Sequence, residues 1–310
     1  MNIIRMTGGL GNQMFAYALF LKFKSMGIDC RIDDYSEYEG HDNRRPLFLN
    51  TAFGIDYPVA TRAEYDEFTD SSTRPDRRIL RKLRGRKTRE YRERGADFDP
   101  EVLKKDNAYL TGYFQSEKYF ADIKNDVLKC FSFNEATRKK AGEILESNGI
   151  RLDAMGDHAF VSVHIRRGDY LNVSEVYGNI CTDEYYRLAI GIIREKTAKE
   201  PFFLVFSNDI EWTRKWCEGI FDKNVGLGHS AQSNTDPGSC YRVMTGTGED
   251  EGYVDMYIMS RCAHNIIANS SFSWWGAYLN TNPQKNVVAP SKWVNTFDQR
   301  DIYTDDMILI

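Results

Sequence analysis

Short apolar runs alternate with amphipathic helical segments after residue 155, and this alternation constrains the fold more than any other feature of the sequence. The runs at 159–165 (AFVSVHI), 202–207 (FFLVFS), 264–269 (HNIIAN) and 286–290 (NVVAP) contain β-branched or aromatic residues in short apolar stretches, which is typical of buried strands. Segments with apolar residues at helical spacing lie between them, and Thr182 precedes one of these segments as a predicted helix cap. Strands that alternate with helices in this way form a parallel sheet with helices on both faces. The sequence therefore predicts an α/β fold.

The first half of the chain begins with a shorter version of the same pattern. Residues 2–6 (NIIRM) predict a strand, residues 8–13 (GGLGNQ) a tight glycine-rich turn into a helix, and residues 29–33 (DCRID) a second strand. A chain of 310 residues is long for one domain. We therefore expect two α/β domains, residues 1–154 and 155–310, joined at a polar stretch.

A strongly basic segment interrupts the first of these domains. Residues 74–94 contain eleven Lys or Arg residues against three Asp or Glu residues. We expect a solvated helical or irregular insertion there, and a peripheral contact with an anionic membrane or a lipid-linked glycan is the alternative. The chain as a whole has a net charge of −4, which argues against a nucleic-acid partner.

The cysteine pattern and the hydropathy pattern bear on the cellular compartment. The six cysteines are widely spaced and form no C-x-x-C pair, which favours reduced thiols over a disulfide framework. We find no secretory signal peptide and no apolar run long enough to span a bilayer. A cytoplasmic protein is therefore expected, and the basic segment leaves peripheral association with the inner membrane open.

Polar and charged residues directly follow three of the predicted strands. The segments are 164–170 (HIRRGDY), 206–212 (FSNDIEW) and 268–275 (ANSSFSWW). The carboxyl ends of parallel strands meet at one edge of a sheet, and sheets of this class bind ligands there. A serine-rich helix start offers backbone N–H groups and an arginine offers charge-assisted donors, and both suit a phosphate group. The three segments together predict a site for a diphosphate, as in a nucleotide.

Four segments of the chain resemble the bacterial α-1,2-fucosyltransferases of glycosyltransferase family 11. In chain order they are GGLGNQMFAYA, VHIRRGDY, FSNDIEW and HNIIANSSFSWWGAYLN. The resemblance implies a GT-B-like architecture, in which two Rossmann-like α/β domains face each other across a cleft. It also implies that the N-terminal domain lies on the acceptor side and that the C-terminal domain binds GDP-β-L-fucose. The reaction would then invert the anomeric carbon without a metal ion.

The resemblance assigns roles to individual residues. Arg166 would bind the β-phosphate of GDP, His164 would contact the nucleoside, and Asn12 would lie in the active-site cleft near acceptor and donor. A guanidinium at that phosphate stabilises the negative charge that grows there as the bond to the sugar breaks. Arg167 is expected to be structural. From the residues alone, a structural network in which both arginines pair with acidic residues such as Asp169 is the alternative, and Asp169 is also a candidate catalytic residue.

Asp255 is assigned to guanine recognition by the same resemblance. Related α-1,6 enzymes have an aspartate ahead of an apolar helix, a strand and a serine-rich turn, and residues 254–271 repeat that layout. A carboxylate can accept hydrogen bonds from N1–H and N2–H₂ of guanine together. Without the resemblance, the sequence predicts only that Asp255 is a solvent-facing helical residue. The predicted donor-binding set is completed by polar and aromatic residues at the second and third strand ends, namely Ser207, Asp209, Asn269, Ser270, Ser271 and Phe272.

A metal site is not expected. Asp97 and Asp99 match the D-x-D pattern of metal-dependent transferases. However, Asp99-Pro100-Glu101 is typical of a helix cap followed by a first-turn proline and a first-turn acid. The five histidines also lack the spacing of metal ligands. The only expected small-molecule partner besides the acceptor glycan is therefore the donor substrate GDP-β-L-fucose.

The expected reaction is transfer of L-fucose to O2 of a terminal β-galactoside, which forms a Fuc-α-1,2-Gal linkage. Direct displacement requires a group that accepts the proton of the acceptor hydroxyl, and Asp33, Asp34 and Asp169 are the candidates. The alternatives are a fucosyltransferase of other linkage, a transferase for another GDP-sugar, and a nucleotide- or glycan-binding protein without turnover. The sequon at Asn269 falls within the predicted phosphate site, which argues against glycosylation there.

Overall fold

The computed structural model describes residues 1–36, 47–69, 75–83, 85, 88–151, 159–221 and 239–310. The chain divides into two compact units, Met1–Ser132 with Arg300–Tyr303 and Phe133–Gln299 with Thr304–Ile310. Each unit contains a parallel β-sheet accompanied by helices. The predicted α/β class is therefore confirmed in both halves of the chain.

The boundary between the units differs from the predicted one. It lies at residues 132 and 133, ahead of the expected position at residue 154. The helix Glu135–Ser147 belongs to the second unit because its apolar face packs against the helix Gly252–Arg261. Leu145 and Ile258 lie in the same buried cluster. Most of the polar stretch expected to join the domains, residues 152–158, lies outside the described residues.

The first unit is built on a four-stranded parallel sheet. Its strands are β1 (Asn2–Arg5), β2 (Cys30–Asp33), β3 (Glu90–Arg92) and β4 (Tyr109–Thr111). Its helices are α1 (Leu10–Ser25), α2 (Leu49–Phe53), α3 (Arg62–Phe68), α4 (Pro75–Leu83), α5 (Pro100–Leu103) and α6 (Lys124–Cys130). The strand order is β2-β1-β4-β3. The predicted strands and the predicted helix at the start of the chain are confirmed as β1, α1 and β2.

The prediction of an insertion over residues 74–94 is wrong at its C-terminal end. Residues Glu90–Arg92 form β3, which pairs with β4 so that Tyr91 lies opposite Leu110. Edge strands tolerate charged side chains because one side of the strand has no partner. A strand with the sequence Glu-Tyr-Arg therefore shows no alternation of apolar and polar residues from which it could be predicted. The N-terminal part of the segment is the exposed helix α4, as expected.

The second unit is built on a six-stranded parallel sheet. Its strands are β5 (Ala159–Ile165), β6 (Pro201–Ser207), β7 (Tyr241–Val243), β8 (His264–Ile266), β9 (Val287–Ala289) and β10 (Met307–Leu309). Its helices are α7 (Glu135–Ser147), α8 (Ser174–Tyr177), α9 (Asp183–Lys196), α10 (Ile210–Phe221), α11 (Gly252–Arg261) and α12 (Ser271–Tyr278). The strand order is β10-β9-β8-β5-β6-β7, which places β5 at the centre.

Helices cover both faces of this sheet, as predicted. Val161 and Val163 of β5 lie in a buried cluster with residues of α9 and α10, whereas Phe160 lies in a cluster with residues of α7 and α11. β5 is therefore buried along its whole length. The side chain of Thr182 caps α9, as the sequence predicts, by accepting a hydrogen bond from the N–H of Tyr185 at 3.3 Å. In the part of the chain that the structure describes, no helix combines the length and the apolarity needed to cross a bilayer.

Candidate functional site

The carboxyl ends of β5, β6 and β8 lie side by side in the second sheet. Ile165 of β5 pairs with Ser207 of β6, and Val163 of β5 pairs with Ile266 of β8. The residues that follow these three strands therefore meet at one edge of the sheet. Ligands of parallel α/β sheets bind at this edge, so the fold brings the three predicted motifs together where a ligand is expected.

Arg167 is held at this edge by the segment that follows β6. Its Nε lies 3.3 Å from Oδ2 of Asp209, and its guanidinium carbon lies 3.8 Å from the centre of the Trp212 ring. Its backbone N–H donates to Oδ1 of Asn208 at 3.0 Å. Asp209 also accepts from the backbone N–H of Trp212 at 3.2 Å, at the start of α10. The ion pair and the cation–π contact support a structural role for Arg167. Through the ion pair, the carboxylate of Asp209 is bound within the protein.

Gly168 permits the close approach of the two loops. Its φ is +26°, and a Cβ at this position would collide with Nδ2 of Asn208. On the neighbouring loop, Oγ of Ser207 accepts from the N–H of Asp209 at 3.1 Å. The predicted donor-binding residue Ser207 therefore stabilises the loop on which it lies. The backbone of Asp169 lies in a short 3₁₀ helix, Gly168–Val173, but its side chain lies outside the described part of the structure.

Arg166 lies over the ring of Tyr170, with 5.5 Å between the guanidinium carbon and the ring centre. The hydroxyl of Tyr170 donates to the carbonyl oxygen of Asn269 at 2.9 Å, and its ring stacks on Tyr177 with 4.4 Å between centroids. Tyr170 therefore connects the loop after β5 to the segment after β8 and provides a fixed surface for Arg166. Sequence reasoning missed Tyr170, although it ends the HIRRGDY segment.

The segment after β8 combines a buried asparagine with the start of a helix. The side chain of Asn269 donates to the carbonyl oxygen of Trp293 at 3.0 Å and accepts from the thiol of Cys181 at 3.5 Å. Asn269 is 3% exposed, so its amide is engaged within the protein and is inaccessible to a glycosylating enzyme. Ser270 precedes α12, its hydroxyl makes no capping bond to that helix, and the first turn has no acidic residue. Ser271 begins α12, so this turn presents the positive end of the helix dipole at the same edge, which suits an anion.

His164 is the last but one residue of β5 and is buried. Burial lowers the pKa of His164 to about 3, and the positive charge of Arg166 adds to this effect, so the imidazole is neutral at pH 7. Its Nδ1 has no hydrogen-bond partner among the described residues. The Phe272 ring, 5.4 Å away between centroids, lies between the histidine and the start of α11, because a Cβ at Gly252 would be 3.4 Å from that ring. His164 is 5% exposed, so neighbouring side chains cover most of it.

Asp255 is a half-buried carboxyl group on α11. Burial raises the pKa of Asp255 from 3.8 to about 7, and the negative charge of Glu251 adds to this increase. The hydroxyl of Thr247 opposes it, because Oγ1 lies 3.0 Å and 2.9 Å from the two carboxylate oxygens and can donate to either. Sequence reasoning missed Thr247, which belongs to the glycine-rich loop after β7. Among the described residues Thr247 is the one donor to Asp255, and a carboxyl with a raised pKa and few donors is suited to a ligand that supplies further donors.

Asn12 lies in the first turn of α1 in the first unit. Its Oδ1 accepts from Nε2 of Gln115 at 2.8 Å, and a Cβ at Gly8 would come 2.5 Å from its Nδ2. Gly8 has a φ of +74°, so the glycine provides both the backbone conformation and the space for this amide. Gln13 is fully buried and accepts from the N–H of Phe48 at 3.1 Å. In the GNQ segment, the amide of Gln13 is therefore buried and structural, whereas the amide of Asn12 is half-buried and is held in one orientation by Gln115.

The two base candidates of the first unit have different surroundings. Asp33 is fully buried at the end of β2 and accepts hydrogen bonds from the hydroxyls of Tyr109 and Ser36, both at 2.5 Å. It also accepts from the backbone N–H groups of Tyr35 and Ser36. Asp34 is half-buried and accepts from the hydroxyl of Tyr57 at 3.0 Å. Asp33 is thus a structural acceptor with no access to an external proton, whereas Asp34 is accessible.

The D-x-D pair is part of the fold of the first unit. Asp99 caps α5, accepts from the N–H of Glu101 at 3.1 Å, and is followed by the proline that the sequence predicts at the first helical position. It also accepts from the hydroxyl of Tyr91 at 2.6 Å. Asp97 accepts from the backbone N–H groups of Arg300 and Asp301. Across the described ranges, no three His, Cys, Asp or Glu side chains are grouped so as to hold a metal ion.

The chain belongs to glycosyltransferase family 11, because the model described as Glycosyl transferase family 11 matches residues 81–309. This span includes every motif of the second sheet. The protein is therefore a glycosyltransferase, and the family suggested by the four sequence segments is confirmed.

Named relatives extend along nearly the whole chain. An alpha-1,2-colitosyltransferase of Escherichia coli is 29% identical over 96% of this chain and 95% of its own length. The O-antigen biosynthesis glycosyltransferase WbnK of Escherichia coli is 31% identical over 93% of each chain. Galactoside alpha-(1,2)-fucosyltransferase 2 of Oryctolagus cuniculus is 25% identical over 89% of this chain and 66% of its own length. Among solved structures, NodZ alpha-1,6-fucosyltransferase co-crystallised with GDP is 15% identical over 89% of this chain and 91% of that one, with a TM-score of 0.46.

Proposed function

We propose that this glycosyltransferase transfers L-fucose from GDP-β-L-fucose to O2 of a terminal β-galactoside and forms an α-1,2 linkage. The main support is the juxtaposition of Arg166 with the start of α12, joined through the hydrogen bond from Tyr170 to Asn269. A guanidinium beside a helix N-terminus suits the diphosphate of a nucleotide sugar. The names of two relatives support the α-1,2 linkage, and the name of the rabbit relative supports fucose and a galactoside.

The proposed reaction is a direct displacement with inversion. The acceptor O2 forms a bond to the anomeric carbon while the bond from that carbon to the β-phosphate oxygen breaks, and the electron pair of the broken bond leaves with GDP. Arg166 stabilises the negative charge that develops on the phosphate. Asp255, when ionised, accepts from N1–H and N2–H₂ of guanine. The proton of the acceptor hydroxyl passes to a carboxylate, for which Asp34 and Asp169 are candidates, and we assign to Asn12 the orientation of that hydroxyl.

We further propose that the reaction needs no metal ion. Arg166 and the start of α12 provide positive charge for the leaving group, and Asp97 and Asp99 accept hydrogen bonds within the first unit. Turnover should therefore be unchanged after treatment with EDTA and removal of the chelate. A requirement for added Mn²⁺ or Mg²⁺ would contradict this part of the proposal.

Colitose is a second candidate for the transferred sugar. The colitosyltransferase relative matches 96% of this chain. Colitose differs from fucose only in lacking the 3-hydroxyl, so both sugars fit a site of nearly the same shape. A site that hydrogen-bonds the 3-hydroxyl rejects the deoxy sugar strongly, whereas a site without that contact discriminates weakly. The ratio of kcat/KM for the two donors decides between these cases.

The deciding experiment measures GDP release with lactose as acceptor and each of three donors, GDP-fucose, GDP-colitose and GDP-mannose. We expect release with one or both of the first two donors, only in the presence of acceptor, and none above background with GDP-mannose. Proton NMR of the product should show a new α-linkage to O2 of galactose. A product linked elsewhere, or a preference for GDP-mannose, would refute the proposed reaction.

A further inference from the structure

Helix α4 exposes an apolar surface that the fold of the first unit does not use. Ile79, Leu80 and Leu83 are 58%, 48% and 77% exposed. At about 100° per residue, positions 79, 80 and 83 fall within one third of the helix circumference. Beyond its first turn, where Asp76 lies in the same sector, the helix therefore has an apolar stripe that faces away from the protein core.

The remaining positions of α4 are mostly basic, with Pro75 and Asp76 in the first turn. Arg78 and Lys82 are exposed and Arg81 is half-buried, and all three lie outside the apolar stripe. The surrounding segment 74–94 has eleven basic and three acidic residues in a chain whose net charge is −4. An apolar stripe bordered by cations is the pattern of helices that lie in the headgroup layer of an anionic bilayer.

The length of α4 supports an external partner. The helix has nine residues, and all of its described side chains except that of Arg81 are exposed. Helices shorter than about 12 residues are marginal in water without packing of an apolar face. The stability of α4 must therefore increase when another surface covers Ile79, Leu80 and Leu83.

The charge and the apolar stripe together select among the possible surfaces. The phosphates of a nucleic acid would attract the cations, but they provide no apolar surface that could cover Ile79, Leu80 and Leu83. A second copy of the chain would bring two strongly basic segments together, which costs electrostatic free energy. We propose that α4 docks the protein on an anionic lipid bilayer, with the apolar stripe among the headgroups and the basic residues against lipid phosphates.

The test is co-sedimentation of the full-length protein with vesicles of phosphatidylcholine alone or of phosphatidylcholine with phosphatidylglycerol. We expect binding to the anionic vesicles, at least tenfold weaker binding to the neutral ones, and loss of binding at high salt. Changing Ile79→Ser together with Leu83→Ser should weaken binding at least tenfold. Changing Arg78→Gln together with Lys82→Gln should weaken it about thirtyfold. Leu83→Trp should strengthen it, because tryptophan favours the membrane interface.

Matched controls lie on the second unit. Leu188→Ser removes a side chain that is 53% exposed on α9, and Arg214→Gln with Lys215→Gln removes two exposed charges on α10. These variants should bind vesicles as the wild type does. All variants should retain GDP release with a soluble acceptor and the wild-type melting temperature. The vesicle assay uses no donor, so its outcome is independent of the proposed reaction.

Three outcomes would overturn the bilayer proposal. The first is that the wild type does not bind anionic vesicles. The second is that the charge variant loses binding while the serine variant and Leu83→Trp match the wild type, which would indicate a soluble polyanion. The third is a concentration-dependent dimer in analytical ultracentrifugation that the serine variant abolishes, which would indicate that a second copy covers the stripe.

Discussion

The two units of this protein surround an aspartate in different ways: Asp33 is fully buried, whereas Asp255 is half-buried. Asp33, at the end of β2 in the first sheet, accepts from two hydroxyls and two backbone N–H groups. Asp255, on α11 in the second, accepts among the described residues from the hydroxyl of Thr247, and burial raises its pKa to about 7. The same side chain therefore has four described donors in one unit and one in the other.

Each unit also has a buried nitrogen without a hydrogen-bond partner among the described residues, namely Nε of Arg5 at the end of β1 and Nδ1 of His164 near the end of β5. An unsatisfied buried polar group costs about 1–3 kcal/mol, so its persistence requires an explanation such as a bound ligand. The two units therefore differ in how they use an aspartate. Asp33 fixes the loop that follows β2, whereas the described hydrogen bonds of Asp255 come from Thr247.

The largest effect is expected at Arg166. Arg166→Lys keeps the positive charge but loses the planar pair of donors, so kcat should fall on the order of 100- to 1000-fold. The loss should appear mainly in kcat because the phosphate gains charge only as the bond breaks. The measurement is steady-state kinetics of GDP release together with thermal melts.

Arg167→Lys is the matched control for this prediction. Arg167 is tied to Asp209 and Trp212, so its substitution should lower the melting temperature and change kcat little. A folded Arg166→Lys enzyme with nearly normal kcat would refute the phosphate assignment. A larger kinetic defect at Arg167 would transfer that assignment to the second arginine.

The next largest effect is expected at Asp255. In Asp255→Asn, an amide replaces the carboxylate. The carboxylate accepts from two guanine donors with its two oxygens, whereas the amide has only one acceptor oxygen. Loss of a hydrogen bond to a charged group costs about 1.5–3 kcal/mol, so the Kd for GDP should rise roughly 10- to 150-fold. Calorimetry with GDP and ADP measures this change, and discrimination between them should narrow. An unchanged Kd for GDP would exclude Asp255 from guanine binding.

A smaller effect is expected from pH. The free Asp255 carboxyl has a pKa of about 7 and must be ionised to accept the guanine donors. GDP affinity should therefore fall by up to tenfold per pH unit below 7 and stay level above it. The titration of the GDP phosphates is common to all variants, so the difference between wild type and Asp255→Asn isolates this carboxyl. Equal pH profiles for the two proteins would contradict the assignment.

The raised pKa of Asp255 also predicts how the stability of the folded protein depends on pH. Because the folded-state pKa lies above the ordinary value, the stabilising contribution of this carboxyl is present below pH 4 and is lost as pH rises through 7. Without GDP, Asp255→Asn should therefore gain melting temperature relative to the wild type at pH 8 but not at pH 4. A relative gain that is the same at both pH values would show that ionisation of Asp255 is not its cause.

The smallest effect on the reaction is expected at Asp33. Asp33→Asn places an amide among hydroxyls and N–H groups that donate to the carboxylate, so it should lower the free energy of unfolding by about 1–3 kcal/mol. Because the carboxylate is fully buried, kcat of the folded variant should match the wild type. Urea denaturation and GDP-release kinetics test the two parts. A large loss of kcat without loss of stability would restore Asp33 as a candidate base.

The elements that the sequence predicted well are those with strong local signals. The strand at 159–165 is seven residues of apolar and β-branched character, and Thr182 and Asp99 cap their helices as predicted. The weak points are short elements. β3 is hidden in a charged segment, and β7 and β10 have only three residues each. β9 is equally short but lies in the apolar run NVVAP, which predicts it, whereas β3 has charged residues at both ends and no such run, so pairing with β4 defines it.

The order of residues along the chain specifies the chemical groups available to this protein. It places Arg166 and Asn208 directly after strands and Ser271 at the start of the helix that follows the next strand, and because parallel strands end at one edge, it implies that these groups meet. The tertiary structure decided which groups are engaged: Arg167 pairs with Asp209, Asn269 is buried against Trp293, and Arg166 rests on Tyr170. The reason is physical, since pKa values and hydrogen-bond satisfaction depend on burial and on partners distant in sequence. Thr247, whose hydroxyl faces both oxygens of Asp255, is visible only in the folded chain.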